Sequence, residues 1–237
     1  MIQIWTRTYR CLVLALALLA CGLPLAHAQP AAKGADPRIN ERFYDPNIGE
    51  WATRFEGESR EIYARRNKLV AASGVKAGTT VADVGAGAGF MAILFAKQVG
   101  VSAKVIAAEL SKPFAAAIVQ RAKNEGVQNL STVWNTQRDT GLPADSVDIV
   151  FTSDGYHHIE QVAAILKSIR RALKVGGRFI VVDFERIPGV SSRSTLDHVR
   201  AGKETVIEEV VAAGFRLREQ VKTLNLKTNY YLTFERQ

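Results

Sequence analysis

The ten residues Val81-Ala82-Asp83-Val84-Gly85-Ala86-Gly87-Ala88-Gly89-Phe90 set an acid and three glycines between two apolar runs. Glycines let a ligand approach the backbone, and a helix that opens there turns its free N–H groups towards a negative group. The spacing is G-x-G-x-G, whereas a dinucleotide fingerprint reads G-x-G-x-x-G. Phe90 stands where the third dinucleotide glycine belongs, which counts against a nicotinamide cofactor. Glu109 closes the next apolar run, 24 residues after Gly85. A carboxylate at the C-terminal end of a second strand can bridge the two ribose hydroxyls of an adenosine ligand.

A second constellation, Ser153-Asp154-Gly155-Tyr156-His157-His158, follows the apolar run Val147–Thr152. A histidine titrating near neutral pH suits a general base. Successive residues point different ways, so one histidine is expected to face a site, with His157 preferred over His158. The plainer alternative is that both begin the helix that follows. Asp154 is in reach, to position an acceptor or to support the loop. His198, after a long connection, either lines an acceptor site or caps a helix.

These residues need elements to position them. Thr80–Val84, Lys104–Ala108, Leu130–Trp134, Val147–Thr152 and Arg178–Asp183 read as short apolar strands. Helices are expected between them: Phe90–Val99, one opened by Ser111 and closed by Gly126, and Ile159–Leu173. A helix at about 203–213 precedes two more strands, Arg216–Val221 and Tyr230–Glu235, which a short turn joins. Apolar strands alternating with helices imply a parallel sheet covered on both faces, and right-handed crossovers make it doubly wound. The expected fold is α/β and Rossmann-like: a mostly parallel seven-stranded sheet with an antiparallel C-terminal strand pair. Upstream, Trp51, Phe55, Ile62, Tyr63, Arg66, Leu69 and Val70 share a stripe at helical spacing, which predicts an N-terminal cap helix over 48–72.

The N-terminus has a different composition. Arg7 and Arg10 precede an apolar run from Cys11, and Ala26-His27-Ala28 offers a small-residue cleavage site. This is the layout of a secretory signal peptide over 1–28, with a linker over 29–47 and one domain over 48–237. Export to the periplasm is the expected destination. Leu18-Leu19-Ala20-Cys21 also reads as a lipidation site, and the run could be retained as an anchor. Membrane contact is expected only in those two cases. Both cysteines, Cys11 and Cys21, fall in this segment. A chain cut at Ala28 has no disulfide, no thiolate zinc site and no cysteine nucleophile, and no metal site is read from the sequence. Taking Arg7 and Arg10 from the 31 basic residues leaves 29 against 23 acidic ones, a net charge of +6. No block of basic residues with interleaved aromatics is present, so nucleic acid is not an expected partner.

The glycine loop and Glu109 together resemble class I S-adenosylmethionine-dependent methyltransferases, over about residues 60–237. Leu142-Pro143-Ala144-Asp145-Ser146-Val147-Asp148 resembles that family's approach to strand four. Arg171-Ala172-Leu173-Lys174-Val175-Gly176-Gly177 resembles its approach to strand five, with Val175 for the usual proline. Tyr156-His157-His158 and Ala213-Gly214-Phe215 are similar to small bacterial members of the ubiquinone and arsenite methyltransferase group. The resemblance implies S-adenosylmethionine as cofactor. Asp83 with Gly85, Ala86, Gly87 and Gly89 would hold its methionine end. Glu109 would hold the ribose, with Leu110 on the adenine and Gln137 or Asp139 at the adenine edge. His157, Asp154 and His158 are the candidate catalytic residues. Members that methylate base or amide nitrogens carry Asn-Pro-Pro-Tyr where this chain has Ser153-Asp154-Gly155-Tyr156, so a small-molecule acceptor is expected. An arginine of the N-terminal helix would pair with the cofactor carboxylate or face solvent. Two other readings stand beside this one: a non-catalytic exported binding protein on the same fold, and a nicotinamide-dependent oxidoreductase.

Overall fold

The computed structural model describes residues 33–237; the expected signal peptide, with its Ala28 and Cys21 alternatives, lies outside the described residues. Seven strands form one sheet: β1 (Val81–Val84), β2 (Val105–Glu109), β3 (Leu130–Trp134), β4 (Val147–Ser153), β5 (Leu173–Phe184), β6 (Phe215–Gln220) and β7 (Asn229–Arg236). Their spatial order is β3-β2-β1-β4-β5-β7-β6. The first five pair in parallel, and β7 runs antiparallel to both β5 and β6. This is the doubly wound sheet expected from the alternation of apolar strands and helices.

The helices are α1 (Ile48–Phe55), α2 (Glu61–Ala64), α3 (Arg66–Ala72), α4 (Phe90–Val99), α5 (Lys112–Asn124), α6 (Val162–Ala172), α7 (Arg193–His198) and α8 (Lys203–Ala212). Alternate strand residues go to opposite faces. Val81, Val105, Ala107, Ile149, Phe151, Ile180 and Val182 pack with Leu69, Met91, Phe95 and Ile118 of α3, α4 and α5. Ala82, Val84, Ala108, Val150, Phe179 and Val181 pack with Ile165, Ile169, Val206 and Val210 of α6 and α8. Both faces are therefore dry, which is why the strands read as continuous apolar runs. Among the described residues, no helix is long and apolar enough to cross a membrane.

The N-terminal region differs from expectation. The single helix over 48–72 is three helices, broken at Arg65 and at Glu56-Gly57-Glu58-Ser59-Arg60, where Arg60 N–H bonds back to Gly57 O in a turn (2.9 Å). Glycine and serine disfavour helix at the break, and Arg60 is drawn to a carboxylate elsewhere. The segment expected as linker is also structured from residue 33. Pro37–Ile39 and Glu41–Phe43 form two 3₁₀ turns, Ala35 and Asn40 are buried, and Ala35 N–H bonds to Ile159 O (2.8 Å). Further on, α6 starts at Val162 rather than Ile159, because Tyr156–His158 forms its own 3₁₀ turn.

Candidate functional site

The strand order reverses at β1, which has β2 on one side and β4 on the other. In an open α/β sheet the crevice at the carboxyl ends of such strands is where ligands bind. A cleft with about 900 Å³ of empty space, part of it open to solvent, lies there. Gly85, Gly87, Glu109 and Leu110 line one part of it; Asn135, Thr136 and Gln137 line another; Thr152, Asp154, Gly155 and His158 line a third.

The glycine loop divides by role. Gly85 (φ +73°) and Gly87 (φ +53°) have backbone conformations that disfavour a side chain, and both line the cleft. Gly87 N–H donates to Glu109 Oε2 (2.8 Å), and Ser111 N–H donates to Glu109 Oε1 (2.8 Å). Burial pushes the Glu109 carboxyl up to about 6, against the pull of those N–H groups. Ala86 is packed in the core and does not line the cleft. Gly89 N-caps α4 and lies against Ile118, so it serves helix packing rather than a ligand.

Asp83 pairs with Ala107 across β1 and β2, so it projects from the same sheet face as Glu109. It is 1% exposed, does not line the cleft, and neither carboxylate oxygen has a hydrogen-bond partner among the described residues. Burial, then the Glu109 charge, pushes it up to about 7. An acid kept without partners beneath a glycine loop fits a cationic ligand end above it.

At the adenine edge the two sequence candidates part. Gln137 lines the cleft and donates to Glu160 Oε1 (2.8 Å). Asp139 does not: Arg171, Ser168 and Gly141 N–H occupy its carboxylate. Sequence reasoning passed over Asn135, whose buried Oδ1 has no partner and which lines the cleft. Its position directly after β3 was the available signal.

The histidines reverse the expected order. A 3₁₀ turn has three residues per turn, so Tyr156, His157 and His158 point in three directions. Tyr156 enters the core and donates to Glu209 Oε2 (2.8 Å). His157, 3% exposed, turns to β5, where Asp183 accepts both its Nδ1–H (2.7 Å) and its backbone N–H (3.0 Å). Burial opposes charge on His157, but the Asp183 carboxylate outweighs it and raises the ring. His158 is the one that lines the cleft. Asn40 Oδ1 accepts its Nδ1–H (2.8 Å), since Asn40 Nδ2 donates to Glu160 and to His158 O. Burial, then the His157 charge, holds His158 down at about 2, so it is neutral with a free Nε2 lone pair. His198 both ends α7 and packs edge-on against the other two rings, at 5.0 Å from each.

Asp154 lines the cleft in a left-handed conformation (φ +47°) that a non-glycine residue holds at a cost of about 1–3 kcal/mol. Arg60 and Asn229 Nδ2 bond to its two oxygens. Burial first, with Arg60 pulling the other way, raises it to about 6. Arg60, a quarter exposed, thus pairs with a loop acid. Over the loop, Phe55 packs at a tilt against Trp51 and Phe114, and a Cβ on Gly87 would meet the Phe55 ring at 3.2 Å. With Phe43 and Tyr44 it forms an aromatic wall of the cleft that no spacing in the sequence announced.

Residues 60–199 match the model of the ubiE/COQ5 methyltransferase family. A ubiquinone/menaquinone biosynthesis C-methyltransferase of Marinomonas sp. (strain MWYL1) is 29% identical over 122 residues, 51% of this chain and 49% of that protein. The enzyme of the same description from Escherichia fergusonii is 30% identical over 115 residues, 48% of this chain and 46% of that one. The chain thus spans about half the length of the curated relatives it matches. A S-adenosylmethionine-dependent methyltransferase from Aquifex aeolicus superposes with a TM-score of 0.67 at 21% identity, covering 84% of this chain and 98% of that one. A geranyl diphosphate methyltransferase superposes at 0.61 with 16% identity, covering 73% and 78%. At these identities the superpositions show the shared fold.

Proposed function

The chain belongs to the ubiE/COQ5 methyltransferase family, and from that premise we propose that it transfers a methyl group from S-adenosylmethionine to a small-molecule acceptor. The observation that carries this is the Glu109 carboxylate, held in the cleft beside Gly85 and Gly87 with the unpartnered Asp83 beneath the same loop. Membership in this family leaves the nicotinamide reading without support.

When bound, the cofactor supplies an electrophilic methyl on a sulfonium. The protein's work is to hold, orient and exclude water. Glu109 would accept the ribose hydroxyls, and Leu110 would pack on the adenine. The free Asn135 Oδ1 would accept the adenine amino group, with Gln137 beside it. The Asp83 charge would favour the cationic end. Phe55, with Trp51 and Phe43, would shield the site from solvent.

An acceptor that must lose a proton needs a base. His158 suits this: it faces the cleft, is neutral, and carries its free lone pair on Nε2 while Asn40 fixes the ring. His157 and Asp183 behind it hold the turn, and Asp154 faces the acceptor side. The relatives are described as C-methyltransferases of quinone biosynthesis. A hydroxylated aromatic or enolisable acceptor is the corresponding reading here, because its proton is one that an imidazole can take.

Export to the periplasm, with cleavage near Ala28 or lipidation at Cys21, is part of the proposal and is supported by the order of Arg7, Arg10, the apolar run and Ala26-His27-Ala28. That segment also favours a second reading, an exported binding protein on this fold, since S-adenosylmethionine is made in the cytoplasm. Calorimetric titration of the chain with S-adenosylmethionine and S-adenosylhomocysteine separates them. Micromolar binding, about −8 kcal/mol, that Glu109→Ala weakens at least tenfold is the expected result. A folded chain that binds neither ligand is the second reading's result and ends the first.

A further inference from the structure

His157, His158 and His198 meet beside the cleft, with one ring nitrogen of each within 4.8 Å of the other two. The rings of His157 and His158 are 4.2 Å apart, and each is 5.0 Å from His198. Two of the rings are already oriented. His157 gives its Nδ1–H to Asp183 (2.7 Å), and His158 gives its Nδ1–H to Asn40 Oδ1 (2.8 Å). The Nε2 of each has no hydrogen-bond partner among the described residues. The His198 ring makes no hydrogen bond to another described residue. Three ring nitrogens this close can share one ion, and any proton that His157 holds on Nε2 leaves as the ion binds.

The geometry points to a divalent transition-metal site built by His157, His158 and His198. Three neutral imidazoles select zinc, cobalt, nickel or copper over the hard ions magnesium and calcium. Three histidines with a fourth position open is the arrangement of a working rather than a purely structural zinc site. A carboxylate behind one ligand and an amide oxygen behind another are the outer partners that fix ring and tautomer in such sites. Ligand nitrogens around a tetrahedral zinc stand about 3.3 Å apart, so the present spread must contract. His198 can supply the movement: it ends the six-residue α7 in the surface connection between β5 and α8. Sequence spacing could not signal this site, because His198 lies 40 residues from His158 and no metal motif joins them.

His158 lines the cleft, so the open position faces the acceptor side. An acceptor hydroxyl that coordinates there loses its proton to water as its oxygen–hydrogen bond breaks and an oxygen–metal bond forms. The ion then does what the free His158 lone pair would do without it, and the two roles exclude one another. This consequence rests on the methyl-transfer reading; the metal site itself does not.

The test uses the tag-free full chain, stripped with a chelator and kept free of cofactor. It is titrated with Zn²⁺ by calorimetry and with Co²⁺ by visible absorption. One ion per chain at micromolar affinity or tighter is expected, with the strong absorption of four-coordinate Co²⁺. His198→Ala, which removes a ring from a surface helix, should keep the thermal midpoint and weaken binding at least a hundredfold. Asn40→Ala should weaken it about tenfold. Binding no tighter than millimolar, or equal binding by wild type and His198→Ala, overturns the site. S-adenosylmethionine titration of the same samples keeps the two proposals apart, since either ligand can fail while the other binds.

Discussion

Arg60, in the turn between α1 and α2, donates to the Asp154 carboxylate at the end of β4. The pair joins the N-terminal helices to the acceptor end of the sheet, and Asn229 of β7 holds the other Asp154 oxygen (2.8 Å). The Asp154 side chain is 9% exposed and that of Arg60 is 25%.

Arg60→Ala should therefore loosen the cleft as well as lower stability. Removing one partner of a fully buried pair costs about 3–5 kcal/mol. Water screens the quarter-exposed arginine, so about 1–2 kcal/mol is expected, which lowers Tm by about 2–8 °C in a chain of this size. Thermal unfolding measures the first effect. Tryptic cleavage at Arg54 and Arg65, faster in the variant, measures the second. Unchanged values for both would mean that the pair does not hold the N-terminal helices down.

Cofactor affinity should rise with pH between 5 and 8. Burial raises the Glu109 carboxyl to about 6 and that of Asp83 to about 7. Accepting ribose hydroxyls and favouring a cation both need the ionised form, so binding releases protons and tightens as pH rises through these values. Stability of the ligand-free chain runs the other way. The folded values lie above the unfolded ones, so these two groups contribute stability that is full below about pH 4 and is lost as pH rises through 6 to 7. Asp83→Asn should shrink the fall in Tm between pH 5.5 and 8 and weaken S-adenosylhomocysteine binding. Calorimetry and thermal scans across that range check both signs, and a flat affinity profile would refute the assignment.

The glycines of the loop should separate in the same assays. Gly87→Ala strains a left-handed residue and meets Phe55 at 3.2 Å. It should cost about 1–2 kcal/mol and weaken cofactor binding at least tenfold. Gly89→Ala also strains a left-handed residue (φ +81°) and places a Cβ 2.7 Å from Ile118 Cγ1, so its loss is one of backbone strain and helix packing. Trimming the neighbour in Gly89→Ala/Ile118→Ala should recover cofactor affinity, while trimming Phe55 beside Gly87→Ala removes a wall of the cleft and should not. Cofactor binding that stays weak in a folded double variant would return Gly89 to the site.

These distinctions mark how far the residues could be read without coordinates. β3 forms over Leu130–Trp134 as its apolar run predicts, and Ser111 caps α5 as its hydroxyl predicts. Such features are local, and the central strands β1, β4 and β5 are buried on both faces. That Gly85, Gly87 and Glu109 would sit at strand ends was legible in the same way, the glycines from one turn of chain and Glu109 from the end of the neighbouring apolar run. The rest depends on distant partners. Asn40 reaches His158 across 118 residues, and Asp183 orients His157 from the next strand. Which histidine faces the cleft follows from a 3₁₀ turn rather than an α-helical start, a difference that His157-His158 alone does not encode. Asn40, Phe43 and Tyr44 sit in short turns without a helical stripe, so their segment read as linker.

Arg200 and Glu209 support that turn from below and should behave as a unit. Arg200 makes two 2.8 Å bonds to the Glu209 carboxylate, which also accepts the Tyr156 hydroxyl, and both side chains are under 10% exposed. Arg200→Met leaves a buried carboxylate whose positive partner is gone, at about 3–5 kcal/mol, or about 6–20 °C in Tm. Arg200→Met/Glu209→Met removes both charges and keeps apolar volume. A buried pair exchanged for packed apolar residues is close to neutral, although Tyr156 would lose its acceptor at a further cost of about 1–3 kcal/mol. The double variant should therefore unfold at a higher temperature than Arg200→Met and slightly below the wild type. Thermal unfolding of the full double-mutant cycle measures the coupling. Additive losses would show the two residues acting independently, and the turn carrying His157 and His158 would then owe its position to Asp183 and Asn40.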